Sequence, residues 1–429
     1  MNNKKNILLI TFLSLFLFLL ILDTTNKIEE DFLDPAGDSK SYISLAKSIQ
    51  EERIFVRQEF LNQNSVETVR TPGYPFFLSL FSNYKNIIYI QNFLHVISSF
   101  LIFKLIKRQI QYNFALVFLF MYLLNPLLIS LSQLLLTETL CIFLINLILF
   151  LFIEKNKIVL PVTLISILPI IRPAFLLIVV FFVFFNKLLF REIDAKKRFL
   201  IIFILISPSL FWTQRNYELT NQFIFSSITG MNLLEETASG VMAINEDITN
   251  NEDLQEIINI QYEEKRYWSQ ILRNEVDLDG ISRVISNAPG KNPHEVANAY
   301  QSYAMKIIAA KPLEFSILIC RAFLYNTLEP GDQIYNLVLN VNNLNLLNYS
   351  IVGVNFVITF FAFIYLFQTI KLRKKIEIEI TLYLIILAPL LLLATPNGRF
   401  GAPLLGIAML MCSKYFRNFD LRNIKDKLI

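Results

Sequence analysis

Apolar runs set the character of this chain. Ile7–Leu22, Phe114–Leu131 and Ile351–Phe367 are nearly unbroken hydrophobic stretches, each close to the roughly 17–25 residues that carry a helix across a bilayer. Further runs at Ile87–Phe103, Leu140–Ile153, Ile158–Ile171, Ala174–Asn186, Phe199–Thr213, Ile380–Ala394 and Gly401–Met411 bring the prediction to about ten crossings. Several are short, and the prolines within Ile158–Asn186 predict two half-length helices there.

Two polar regions interrupt the apolar pattern. In Asp23–Lys85, the residues Tyr42, Leu45, Ala46 and Ile49 recur at helical spacing, which predicts an amphipathic helix suited to a membrane surface. Gln214–Tyr349 carries polar helical stretches at Glu252–Leu272 and Pro293–Ala310 between Asn/Asp-rich breaks, the pattern of a small, mostly helical outer domain. Leu313–Leu328 is apolar but interrupted by Arg321, as expected of an interfacial segment. The chain thus divides into an N-terminal transmembrane module (1–213, with exterior loop 23–85), an exterior region (214–349) and C-terminal membrane helices with a basic tail (350–429). The expected class is an all-α, polytopic membrane protein.

Composition agrees. The 429 residues are 54% hydrophobic and 17% charged, with a mean hydropathy of +0.50. Soluble domains carry roughly 25% charged residues, so a soluble enzyme is excluded. Charge also sets orientation. With the N-terminus inside, the segments assigned to the cytoplasm hold 21 Lys and Arg against 7 Asp and Glu. The exterior segments 23–85 and 214–348 hold 16 basic and 27 acidic residues. This is the positive-inside pattern, with both termini cytoplasmic and both long loops outside. Met1–Lys5 and the run after it resemble an export signal, but Asp23–Lys27 offers no small-residue cleavage site, so an uncleaved first helix is expected. The net charge of +4 shows no clustered basic face for nucleic acid. Cys141, Cys320 and Cys412 are far apart in apolar contexts and read as small buried hydrophobes.

Chemistry is expected at the outer ends of the spans, where Glu138, Arg172 and Arg399 converge on the face that carries both long loops. Ionisable groups at membrane depth are costly and default to function. Asp38, just ahead of the amphipathic helix, suits an N-cap, a general base, or both. Glu138 is either an ordinary loop carboxylate or a second acid that orients an acceptor or a metal. Arg172, set between Pro169 and Pro173, either snorkels to the surface or presents a guanidinium to a cavity, where it can hold a phosphate. Arg399 offers a second cation for the same anion, or simply fixes topology. Arg70 and Arg215 are weaker candidates of the same kind. His95 and His294 are isolated and read as structural. No Ser-His-Asp set, nucleotide loop or metal-ligand spacing is present in the sequence, so no cofactor is called for. An activated donor outside the cell would arrive on lipid.

The ordered motifs Gly37-Asp38-Ser39-x-x-Tyr42-x-x-Leu45-Ala46 and Arg70-Thr71-Pro72-Gly73-Tyr74-Pro75 resemble the first exterior loop of the GT-C superfamily of membrane glycosyltransferases. The nearest branch is the one holding protein O-mannosyltransferases and lipid A aminoarabinose transferases. Leu136-Thr137-Glu138-Thr139-Leu140, Arg172-Pro173, Arg215-Asn216 and Arg399-Phe400-x-x-Pro403 follow in that family's order. The resemblance implies a GT-C-type bundle that moves a sugar from a polyprenyl-phosphate carrier to a glycan, lipid or protein acceptor on the exterior face of the plasma membrane. It implies Asp38 at the reaction centre, Glu138 as the acid of the next loop, and Arg172 and Arg399 near the carrier phosphate; Tyr42, Arg70 and Arg215 are further candidates for substrate binding. The first loop lacks the family's Asp-Glu pair, and neither loop has an Asp-x-Asp, so a divalent metal has no support. A polymerase or ligase of another fold, and a transporter or flippase, are the competing readings. The latter should show paired broken helices in two similar halves, which this sequence lacks.

Overall fold

The computed structural model describes residues 38–57, 66–154, 158–190, 193–242, 244, 293–328, 345–371, 377–392 and 398–417, and every regular element among them is a helix. The predicted first span, the stretch Glu252–Leu272 and the end of the basic tail lie outside the described residues.

The exterior loop contributes α1 (Asp38–Glu51) and α2 (Gly73–Ser79). The apolar stripe of α1 is buried against protein, not turned to a membrane surface: Tyr42, Leu45 and Ala46 are covered together with Ser41 and Ser48. The reason is close packing of α1 on α2, with Tyr42 edge-on to Tyr74 at 5.1 Å.

Next come α3 (Tyr84–Ile106), α4 (Tyr112–Leu123), α5 (Pro126–Ser132) and α6 (Thr137–Glu154). Asn83 starts α3 by accepting from the Lys85 amide. Pro126 forces a break after α4; Asn125 caps α5 through the Leu128 amide, and the two helices meet at 50°. The Ile158–Asn186 stretch forms two helices as expected, α7 (Val159–Ile171) and α8 (Leu176–Phe184), joined through Arg172 and a short turn at Pro173–Phe175. Asp194 caps α9 (Ala195–Thr220) through the Lys197 amide, and Asn221 ends it in the left-handed conformation at φ 56°.

Outside the main core, α10 (Ile228–Asn232) and α11 (Pro293–Ala310) pack as a small helical unit around Leu234, Ala238 and Ala304. The apolar segment with Arg321 is α12 (Pro312–Leu328), which lies against α13 (Asn345–Lys371) and α14 (Ile378–Leu392). Leu318, Ala322 and Asn326 form its buried stripe. Cys320 is off that stripe and exposed, so only Cys141 and Cys412 are the buried thiols expected. A short turn at Gly398–Gly401 and α15 (Leu405–Arg417) complete the bundle.

Among the described residues three helices, Tyr84–Ile106, Thr137–Glu154 and Tyr349–Lys371, are long and apolar enough to cross a membrane, and the bent α4–α5 pair makes a fourth if counted as one span. The other predicted spans that fall on described helices are shorter or less apolar than these. One continuous hydrophobic core joins α1 to α9 and α13 to α15.

Candidate functional site

Asp38 sits in the first turn of α1, and its Oδ1 accepts from Arg70 Nη2 at 2.7 Å. Arg70 is held from three sides. Its Nε donates to Ser41 Oγ at 3.0 Å, and its guanidinium lies 5.0 Å over the Tyr42 ring. The backbone that presents it is fixed by Glu67, whose Oε1 accepts from the Val69 and Arg70 amides at 2.7 and 2.8 Å.

Arg215 belongs to the scaffold beneath this loop, not to the cluster around Tyr42. It donates to the Glu67 carbonyl at 2.7 Å, packed between Phe55 and Trp212. Arg57 meets the Glu67 carboxylate at 2.6 Å, with both side chains buried. Ser226 holds the Val69 carbonyl, and Thr68 meets Ser227. Arg57 and Glu67 carried no motif in the sequence; their role follows from burial alone.

Glu138 opens α6 and is 1% exposed. Its Oε1 lies 2.9 Å from Arg172 Nη1, which also donates to Thr137 Oγ1 at 3.3 Å. Arg172 occupies the extended break after α7 (φ −143°, ψ 115°), where Pro173 cannot continue a helix. Its guanidinium lies 4.9 Å over the Phe400 ring. Phe400, the residue after Arg399, thus meets Arg172, while the side chain of Arg399 is outside the described residues.

Tyr42 links the two ion pairs. It is 8% exposed, and its hydroxyl feels the charges of Arg70, Asp38, Glu138 and Arg172 together. Burial is the largest influence and pushes its pKa up to about 12, so the phenol stays neutral. Ser39 Oγ donates to the Leu135 carbonyl at 3.0 Å, tying the start of α1 to the strap that leads into Glu138. Asp38, Tyr42, Arg70, Glu138 and Arg172 thus share one neighbourhood.

An apolar groove of about 620 Å³ opens beside it, lined by Ile49, Ile54, Phe76, Ile167, Ile171 and Trp212, with Arg53 on its wall. Pro72 and Gly73 border it just past Arg70, and Ile170 and Ile171 border it just before Arg172. Gly73 permits this junction, because a Cβ there would stand 2.7 Å from the Ile170 carbonyl oxygen. Of the histidines, His95 is buried and bonds the Leu123 carbonyl through Nε2. The side chain of His294 is outside the described residues. Among the described residues no group of three His, Cys, Asp or Glu could hold a metal ion.

No protein-family model matches the chain, and comparison with curated proteins and with solved structures finds no match.

Proposed function

We propose that this protein is a multi-pass membrane glycosyltransferase of the GT-C type. It would move a sugar from a polyprenyl-phosphate carrier to a glycan, lipid or protein acceptor on the exterior face of the plasma membrane. The observation that carries the reading is the pairing of two carboxylates with two guanidinium groups around Tyr42, with an apolar groove bordered by the chain neighbours of Arg70 and Arg172. Such a site suits a ligand with an anionic head and a hydrocarbon tail. About ten crossings with cytoplasmic termini belong to the same reading.

When the glycosidic bond breaks, the electron pair and the negative charge stay on the carrier phosphate. Fixed cations in a poorly hydrated site stabilise that charge because they need no reorganisation. Arg172 is the leading candidate: its Nη1 donates to Thr137 Oγ1 and is ion-paired with Glu138, and a guanidinium has five donors in a planar fork. Arg70 and Arg399 would add to the field. Asp38 would take the acceptor's proton while aligning it for attack opposite the leaving phosphate, giving inversion. Glu138 would orient the acceptor or hold Arg172. Tyr42, being neutral, serves as a wall and hydrogen-bonding surface.

The experiment is incubation of the purified full chain in lipid with radiolabelled polyprenyl-phosphate sugars and candidate acceptors. Transfer of label from the carrier supports the reading. Movement of intact lipid-linked sugar across the bilayer, with none released, supports a flippase instead.

A further inference from the structure

Gln91 lies in the apolar part of α3 and is 0% exposed. A primary amide in such surroundings is costly unless its groups are bonded. Its amide oxygen accepts from the Tyr74 hydroxyl at 2.7 Å. Its amide nitrogen donates to the carbonyls of Leu134 at 2.7 Å and Ser132 at 3.2 Å. Two carbonyls can only accept, so the nitrogen must face them and the oxygen must face Tyr74.

Those carbonyls stand at the end of α5 (Ser132) and in the strap that joins it to α6 (Leu134). There the Leu136 amide folds back onto the Leu134 carbonyl at 2.8 Å, and Ser39 takes the Leu135 carbonyl. The strap runs directly into Thr137 and Glu138. On the other side, Tyr74 packs edge-on against Tyr42 and follows Gly73, which touches the chain just before Arg172. One buried amide therefore connects the support of Glu138, the wall around Tyr42 and the approach to Arg172.

We propose that Gln91 is a positioning residue for the transfer reaction: with Tyr74 it sets the strap, and through the strap the distance between Asp38 and Glu138. This rests on the reading of those carboxylates as reacting groups. Gln91 touches no reacting atom. Its loss should act on turnover and spare carrier binding, which belongs to the groove and the guanidinium groups.

The test uses Gln91→Met, which keeps length and apolar volume, and Tyr74→Phe, which removes only the hydroxyl that fixes the amide. In full-length protein each should lower kcat, with up to about 10²-fold loss for a displacement near 1 Å. KM for the lipid donor should stay within about twofold, the signature of an interaction realised in the transition state. Because both act through one network, the double variant should be no slower than Gln91→Met. Amides of Leu135–Glu138 should exchange with solvent faster in both. Wild-type kcat in both variants while Asp38→Asn is inactive would overturn the proposal, as would losses that multiply in the double variant. Should Gln91→Met fail to fold, Tyr74→Phe alone decides. If wild-type protein transfers no sugar, the transferase reading is what fails, and if Asp38→Asn remains fully active, its role as base fails; in either case the strap is judged by exchange, and unchanged exchange would overturn it.

Discussion

Arg172 and Glu138 form an ion pair with an N–O distance of 2.9 Å, one ending a helix at a proline break and the other beginning the preceding helix, on which it packs. Neither charge stands in the apolar interior alone. The pair gives a cation held in place before any anion arrives, and it makes the two residues interdependent.

That interdependence can be measured. Removing one partner of a buried pair costs about 3–5 kcal/mol, because the other charge is left behind. Since Arg172 is 16% exposed, the lower end of that range is expected for Arg172→Gln. Thermal unfolding in detergent should show Arg172→Gln less stable than the double variant Arg172→Gln/Glu138→Gln. Equal stabilities would mean the pair is not coupled.

Gly73 and Gly353 make a contrast that needs no assumption about function. A Cβ on Gly73 would press on the Ile170 carbonyl at 2.7 Å, whereas one on Gly353 meets nothing within 4 Å. Gly353→Ala in the middle of α13 should be neutral or stabilise by about 0.5–1 kcal/mol. Gly73→Ala should destabilise by about 1–3 kcal/mol, the cost of overpacking, and should raise the KM for the donor by disturbing the groove. Thermal stabilities that rank the other way would mean that α2 does not meet α7 in this manner.

Tyr42 should not act as a base. Burial raises its pKa from 10.0 to about 12 in the folded protein, so its contribution to stability is whole below the unfolded value and is lost as pH rises toward about 12. Within the working range it keeps its proton. Tyr42→Phe should therefore leave the midpoints of the pH–rate profile in place, with any loss confined to amplitude. A displaced midpoint would assign the titrating group to Tyr42.

The groove should discriminate by tail length. Ile167 lines it and is partly exposed. Ile167→Lys introduces a charge where a hydrocarbon would lie and should raise KM for a long-chain donor. Use of a short-chain donor should change little. An equal effect on both would separate the groove from the donor.

The apolar runs revealed the helices because long hydrophobic stretches cannot hide their composition, and the prolines located the break at Arg172; the break at Pro126 was not read from the sequence, which made Phe114–Leu131 one continuous run. Glu138 and Arg172 were legible as charges at span ends, and Asp38 and Arg70 as charges in the first exterior loop. Their pairing was not, since nothing along the chain says that Arg70 faces Asp38 while Arg215 turns away to Glu67. Gln91 left only a faint signal, a polar triplet with Asn92 and His95 inside an apolar run, because its partners are backbone carbonyls and carry no sequence signature. The burial of α1 also went unforeseen: a stripe that fits lipid fits α2 equally well.

Transfer from a labelled polyprenyl-phosphate sugar, measured side by side for wild-type protein and Asp38→Asn at matched membrane expression, bears most directly on this account. Removing the base should slow transfer by about 10²–10⁴-fold while carrier binding persists. Undiminished transfer by Asp38→Asn would contradict it.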